Sequence, residues 1–340
     1  MAEGKKEMKK ALIVTSEFGR EKGGIQNWMY YVHKLLGEHD FDIDVYAYKE
    51  DNPFRKFKQA IKSQIYLLAT WKMSLFIIPM VFLRQKTIFI FIHGNDILNL
   101  NWFQKFWLDY LCRQSHIYFI ANSQAVSQIF SQMTKREIDL VQYPFMEITE
   151  KFSKIKTDKT PVFLTISRLV KRKNIHHVLL ALNKLKDEGL KFQYFIAGKG
   201  IEKESLMKLV ETLSLSEEVK LLGAVSEKQK EELYISSDYF LLPSVYDRTD
   251  GSIEGYGIVF IEANAYGLPV ISGNTGGMTE AVKDGVTGYQ CDGTVESIAQ
   301  KIRTMLDTSF DSSLLYAHAQ RHDYAKQKQF LHFIDKSVHG

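Results

Sequence analysis

The chain has 340 residues, of which 45% are hydrophobic and 25% charged, with a formal net charge of +4. This profile excludes a disordered chain and allows two domains, each large enough to bury its own core; the mild charge points to no nucleic-acid partner. The two cysteines, Cys112 and Cys291, are far apart in no metal-ligand spacing, which excludes a disulfide framework and argues against a zinc site.

Met1–Lys10 carries lysines with no apolar core behind them, so no leader peptide is expected there, and a reducing cytoplasmic setting fits the cysteine usage. Ala11–Ser16 reads as a buried strand. Gly23-Gly24 then marks a turn before a helix with Ile25, Trp28, Met29, Val32, Leu35 and Leu36 at i, i+3, i+4 spacing, which is one apolar face. Phe41–Tyr48, Ile88–Ile92 and Ile117–Ile120 read as further strands, rich in β-branched and aromatic residues. Between them, Pro53–Leu68 interleaves Arg55, Lys56, Lys58 and Lys62 with Phe54, Phe57, Ile61 and Ile65. Two readings stand side by side: an interfacial helix on an anionic membrane surface, or a domain helix with a solvated basic face. Trp71–Leu83 adds apolar bulk, and its run Phe76–Leu83 is too short to span a bilayer.

Glu147–Thr160 lacks apolar periodicity and leads to Pro161, which places the linker there. The alternation then restarts. Val162–Ser167, Phe192–Ala197, Val219–Leu222 and Tyr239–Leu242 read as strands, and Pro269–Ser272 ends another. A helix after the first of these carries Ile175, Val178, Leu179, Leu182 and Leu185. Strands separated by helices imply right-handed crossovers and parallel sheets. The expected fold is therefore α/β, with two Rossmann-like doubly wound domains facing a central cleft. Residues 8–150 form the first domain, rejoined by a C-terminal helix near 320–340, and residues 151–319 form the second.

The second domain holds the densest chemistry. Glu254–Glu262 reads EGYGIVFIE, with Gly255, Tyr256 and Gly257 opening a helix from Ile258. Upstream, SRLVKRKN at Ser167–Asn174 sets Arg168 and Lys173 five positions apart just after a strand. Downstream runs EANAYGLPVISGNTGGMTEAVKDGVTGY. Together these resemble the family-4 retaining glycosyltransferases of the GT-B fold. The first domain adds Gly23-Gly24, His93-Gly94 after a strand, and Ala121-Asn122-Ser123.

The resemblance implies transfer of a hexose or N-acetylhexosamine from a UDP- or GDP-linked sugar, with retention, to a glycan or lipid-linked acceptor. The expected setting is cell-surface polysaccharide, lipopolysaccharide or glycolipid synthesis, in the cytoplasm or peripheral on the membrane's inner face. Arg168 and Lys173 would stabilise the departing phosphate, a contact that strengthens as charge develops. Glu262 would hold the ribose hydroxyls and Glu254 the donor sugar, while His93 approaches that sugar from the first domain. Gly23 and Gly24 would let backbone approach the donor, and Gly255, Tyr256, Gly257 and Ile258 would present a helix start to phosphate. Structural roles compete with these: solvated charges at Arg168 to Lys173, a capping Glu254, a solvated helical Glu262 and a structural His93. Gly276-Gly277 with Glu280 reads as turn-and-cap architecture.

Asp42 and Asp44 alternate within a strand and read as its exposed face, not as a metal pair, so no metal or other cofactor is expected. Ser244–Ile253 is longer than in many relatives and similar to loops in some mannosyltransferases of the family, which brings in GDP-mannose as a donor. Tyr143-Pro144-Phe145 replaces the family's asparagine-glycine step into the linker. Two alternatives use the same fold: a nucleotide-sugar epimerase, or a catalytically silent partner subunit. A Rossmann dehydrogenase is disfavoured, since no Gly-x-Gly-x-x-Gly follows the first strand.

Overall fold

A computed structural model describes residues 8–52, 59–148, 160–246 and 252–339. The chain divides into two compact units, Met1–Glu147 with His322–Gly340, and Ile148–Arg321.

In the first unit, β1 (Lys9–Thr15), β2 (Phe41–Ala47), β3 (Ile65–Leu68), β4 (Thr87–Ile92), β5 (Ile117–Ala121) and β6 (Leu140–Val141) form one sheet in the order β2-β1-β3-β4-β5-β6. Every neighbouring pair is parallel. The central strands are apolar without interruption because both faces of the sheet are covered. The helix Gly24–Gly37 supplies part of that cover, burying Trp28, Met29, Tyr31, Val32, Leu35 and Leu36.

The sequence predicts a helix over Pro53–Leu68, and here the structure differs. Ile65–Leu68 is strand β3, buried along its whole length between β1 and β4. A strand buried on both faces shows an unbroken apolar run, which periodicity cannot tell from a buried helical turn. Residues 59–62 are helical, with Ala60 buried and Ile61 exposed. Arg55, Lys56 and Lys58 lie outside the described residues.

The chain returns to the first unit at its end. Phe330 and Ile334 of the helix Lys328–His339 join the first core. The Tyr143-Pro144-Phe145 step is built into that return: the His322 ring donates through Nδ1 to the Pro144 carbonyl at 3.0 Å, and Phe145 packs on Phe330 with ring centroids 5.5 Å apart.

The second unit contains β7 (Val162–Ile166), β8 (Gln193–Ala197), β9 (Val219–Gly223), β10 (Tyr239–Leu242), β11 (Val270–Gly273) and β12 (Gly288–Cys291), in the order β12-β11-β10-β7-β8-β9. Its pairs are parallel too. The chain winds outward from β7 to β9, then crosses back to place β10 on the other side of β7. The loops leaving β7 and β10 therefore part in opposite directions and open a crevice at the strands' carboxyl ends, the usual ligand position in such sheets.

Candidate active site

The loop after β7 carries the Ser167–Asn174 motif into that crevice. Lys171–Lys173 form a 3-10 turn, and Asn174 closes it in the left-handed region at φ 59. The Asn174 side-chain amide donates to the Pro243 carbonyl at 3.2 Å and the Gly293 carbonyl at 2.8 Å, while the Val245 N–H donates to the Arg172 carbonyl at 2.8 Å. These bonds tie the loop after β7 to the loops after β10 and β12. They bring the basic turn onto Glu254, whose Oε2 accepts from Arg172 Nη1 at 2.6 Å and from Lys173 Nζ.

Arg172 is the residue the sequence leaves unassigned. Among consecutive basic residues it reads as a solvated charge, yet it is only 6% exposed. Lys173 is equally buried. Arg168 stays exposed, close enough for its charge to act on Lys173. Burial pushes the Glu254 carboxyl up, but Lys173 and Arg172 outweigh that and hold it at about 2. Burial moves Lys173 downward, Arg172 and Arg168 add to the fall, and Glu254 opposes it. One half-buried carboxylate thus faces two buried cations, with the exposed Arg168 acting on Lys173 beside them, an arrangement with spare positive charge for an anionic ligand.

Glu254 is held by its backbone as well. The Gly277 N–H donates to the Glu254 carbonyl at 3.2 Å. A Cβ on Gly277 would lie 2.0 Å from the Gly255 carbonyl oxygen, and one on Gly276, at φ +62, would lie 2.6 Å from the Glu254 carbonyl oxygen. The Gly276-Gly277 pair is therefore the surface against which the Glu254-Gly255 turn rests. A capping role for the Glu254 carboxylate does not match its two cationic partners.

Gly257, at φ 91, precedes the helix Ile258–Ala265. Tyr256 is buried and Ile258 half-buried. Glu262 is buried and not solvated. Its Oε1 accepts from Lys230 Nζ at 2.8 Å and its Oε2 from the Tyr234 hydroxyl at 3.0 Å. Burial pulls Lys230 down, and Glu262 with Glu227 outweighs it, leaving the ammonium above its ordinary range. Tyr234, raised well above a free phenol by burial and by Glu262, stays protonated. Each carboxylate oxygen keeps a second lone pair for a further donor.

In the first unit, His93 follows β4 directly and is buried. Its Nε2 lies 2.8 Å from the Ala69 carbonyl, so Nε2 carries the proton and Nδ1 of the neutral ring is an acceptor. Burial lowers its pKa, against Asp96 and the Ala69 bond. The Trp28 ring stands edge-on to it, centroids 5.6 Å apart. The His93 N–H donates to Asp96 Oδ1 at 3.0 Å, while Asp96 Oδ2 is buried without a partner among the described residues. Burial raises the Asp96 carboxyl. Gly23, at φ 132, and Gly24 begin the first helix.

The structure brings Lys173 and Glu254 together and sets Glu262 one helix along from them. His93, Gly23 and Gly24 belong to the first unit. Arg172, Lys230, Tyr234 and Asp96 are the additions that sequence spacing does not mark. Asp42 and Asp44 are exposed, and among the described residues no group of three or more His, Cys, Asp or Glu is placed to hold a metal ion. Residues 247–251 of the long Ser244–Ile253 segment lie outside the described residues.

Residues 147–329 match the family of glycosyl transferases group 1. Among curated relatives, the chain is 34% identical over 150 residues to a GDP-mannose-dependent alpha-(1-6)-phosphatidylinositol monomannoside mannosyltransferase of Mycolicibacterium smegmatis, covering 43% of this chain and 38% of that protein. It is 32% identical over 126 residues to the amylovoran biosynthesis glycosyltransferase AmsK of Erwinia amylovora, covering 37% of this chain and 32% of that one. The chain thus spans less than two fifths of the length of these relatives. Among solved structures, HepE of Anabaena in complex with UDP and glucose superposes with a TM-score of 0.75 at 18% identity, over 96% of this chain and 100% of that one. That likeness is one of fold.

Proposed function

The chain belongs to the group 1 glycosyl transferases, and from that premise we propose that it transfers a sugar, with retention and without a metal ion, from a nucleotide-sugar to a glycan or lipid-linked acceptor. The observation that carries this reading is the meeting of buried Arg172 and Lys173 with Glu254 at the carboxyl ends of β7 and β10, with Arg168 beside it. A surplus of cations over one carboxylate suits a diphosphate, and it strengthens its hold as the leaving phosphate gains charge.

In the proposed step the bond from the sugar's anomeric carbon to the diphosphate oxygen breaks, and its electron pair stays on that oxygen. Arg168, Arg172 and Lys173 stabilise it. The acceptor hydroxyl forms the new bond on the same face, and its proton passes to the departing phosphate. Glu262 takes the ribose hydroxyls on its remaining lone pairs, fixed by Lys230 and Tyr234. His93 Nδ1 accepts from a sugar hydroxyl. Gly255, Tyr256, Gly257 and Ile258 frame the phosphate side.

The mannosyltransferase relative supports GDP-mannose as the first donor to test, with UDP-sugars second. The amylovoran biosynthesis glycosyltransferase of Erwinia amylovora supports a role in cell-surface polysaccharide or glycolipid synthesis. We place the work at the cytoplasmic side of a membrane. No helix among the described residues is long and apolar enough to cross one, so that association would be peripheral. The intact cation and carboxylate cluster weighs against a silent subunit, and a hydrolysing epimerase would release free sugar in place of glycosylated product. A thermal-shift screen of GDP, UDP, ADP and their sugars, followed by product analysis, tests the proposal: a ligand at 100 times its dissociation constant adds about 2.7 kcal/mol. No stabilisation by any nucleotide would end it.

A further inference from the structure

The first unit carries an aromatic face that is exposed among the described residues. It lies on the helix Trp102–Cys112, which buries only Leu108 and Leu111. Trp102 is 82% exposed, Phe106 65% and Phe103 50%, and Phe82 and Leu83 beside them are 57% and 47% exposed. The surface is continuous. Trp102, Phe106 and Tyr110 follow one another at i, i+4, and the Phe82 ring sits 5.5 Å from that of Tyr110. Trp107 stacks on Tyr110 and donates through Nε1 to Ser74 Oγ at 2.8 Å, fastening the helix to the 3-10 segment Trp71–Phe76. A soluble surface normally scatters such side chains; a contiguous group marks a contact.

The charge around this face selects the contact. From Trp71 to Arg113 the chain has five bases, Lys72, Arg84, Lys86, Lys105 and Arg113, and only two acids, Asp96 and Asp109. Asp109 is paired with Lys105 at 2.5 Å, and Asp96 is turned inward beside His93. The bases left outward are Lys72, Arg84 and Arg113; Arg84 follows Phe82 and Leu83 in the chain, and Arg113 ends the aromatic helix. Indole and phenyl rings set in a basic surround are the composition that settles at the headgroup level of an anionic bilayer.

We propose that this face, and not the Pro53–Leu68 segment, docks the protein onto an anionic lipid surface. Trp102, Phe103 and Phe106 enter the interface, and the bases lie against the headgroups. The docking face is joined to the sugar-side histidine. Trp71 Nε1 donates to the Asp96 carbonyl at 2.5 Å, Asp96 holds the His93 backbone, and the His93 ring is held on Ala69, two residues before Trp71. A bilayer against this face would bring a lipid-linked acceptor to the loop that positions His93. That benefit rests on the transferase reading; the docking itself does not.

The test uses the full chain with phosphatidylcholine vesicles, with and without phosphatidylglycerol, and with no donor or acceptor present. Wild type is expected to co-sediment with the anionic vesicles at low salt and to be released by raised salt. The exposed triple substitution Phe82→Ser, Trp102→Ser, Phe106→Ser should keep the melting temperature while cutting partitioning by about tenfold or more. Brominated acyl chains should quench wild-type fluorescence more than that of Trp102→Phe, which keeps an apolar ring. Equal binding by the triple variant, or no binding by wild type, overturns the proposal. So does a wild-type dimer on gel filtration that the triple variant abolishes, since the face would then be a protein interface. If vesicles bind as expected but no donor is ever turned over, the transferase reading fails and the docking face stands.

Discussion

Arg172 and Glu254, 82 positions apart in the chain, meet in a 2.6 Å charge-assisted hydrogen bond inside the second unit. The bond joins the loop after β7 to the loop after β10, and Lys173 makes the same carboxylate its partner. Arg172 therefore has a positioning part besides its charge: it shares Glu254 with Lys173 and fixes where both charges stand. Arg172→Gln is expected to lower turnover, and a double-mutant cycle with Glu254→Gln should return a coupling of about 1–3 kcal/mol. Additive effects on both stability and turnover would mean that the pair does not act as a unit.

The same carboxylate sets an acid limit. Glu254 sits at about 2 against an ordinary 4.5. A folded-state value below the unfolded one adds stability that is complete above the unfolded value and is lost as pH falls toward the folded one. The contribution is about 3 kcal/mol at neutral pH. Urea unfolding followed from about pH 6 to about pH 2 should show wild-type stability falling more steeply than that of Glu254→Gln. Parallel curves would remove Glu254 as the source of the slope.

Glu262 gives a prediction that separates binding from support. If its spare lone pairs hold ribose, Glu262→Ala should weaken a nucleoside diphosphate by about tenfold or more, since hydrogen bonds to a charged group contribute about 1.5–3 kcal/mol each. A 2′,3′-dideoxy nucleotide should bind wild type and variant alike. Lys230→Met should weaken the ordinary nucleotide in the same direction, because Lys230 orients the carboxylate at 2.8 Å. Calorimetry decides: an equal loss with the dideoxy ligand would make Glu262 a structural residue.

The legible part of this protein was what repeats at a fixed spacing. Alternating strands and helices give the two sheets, and Trp28, Val32 and Leu35 mark the first helix because 3.6-residue periodicity survives in sequence. Strand β3 was hidden, since Ile65–Leu68 is apolar throughout and follows a basic, helix-like stretch. The candidate site was half legible. Lys173 and Glu254 belong to local motifs, whereas Arg172 is indistinguishable from its basic neighbours until β7 and β10 are placed side by side. Lys230 and Tyr234 meet Glu262 from a separate helix, Glu227–Ser236, a stretch in which the sequence marks no element and no role. Tertiary contact alone reveals them.

The charge balance of the cluster leads to the last prediction. Arg172 and Lys173 are both bonded to Glu254, and Arg168 stands exposed within reach of the same field. Three cations against one carboxylate leave two positive charges, enough to take the place of a divalent ion on a diphosphate. Transfer should therefore continue in excess EDTA, and added magnesium or manganese should not raise it. Arg168→Ala should lower turnover by about a hundredfold while leaving the melting temperature unchanged, because its guanidinium is exposed and its proposed part is on the leaving phosphate, not in the fold. Activity abolished by chelator and restored by a divalent ion would reverse the assignment of the three cations, and an Arg168→Ala enzyme with wild-type turnover would take Arg168 out of the site.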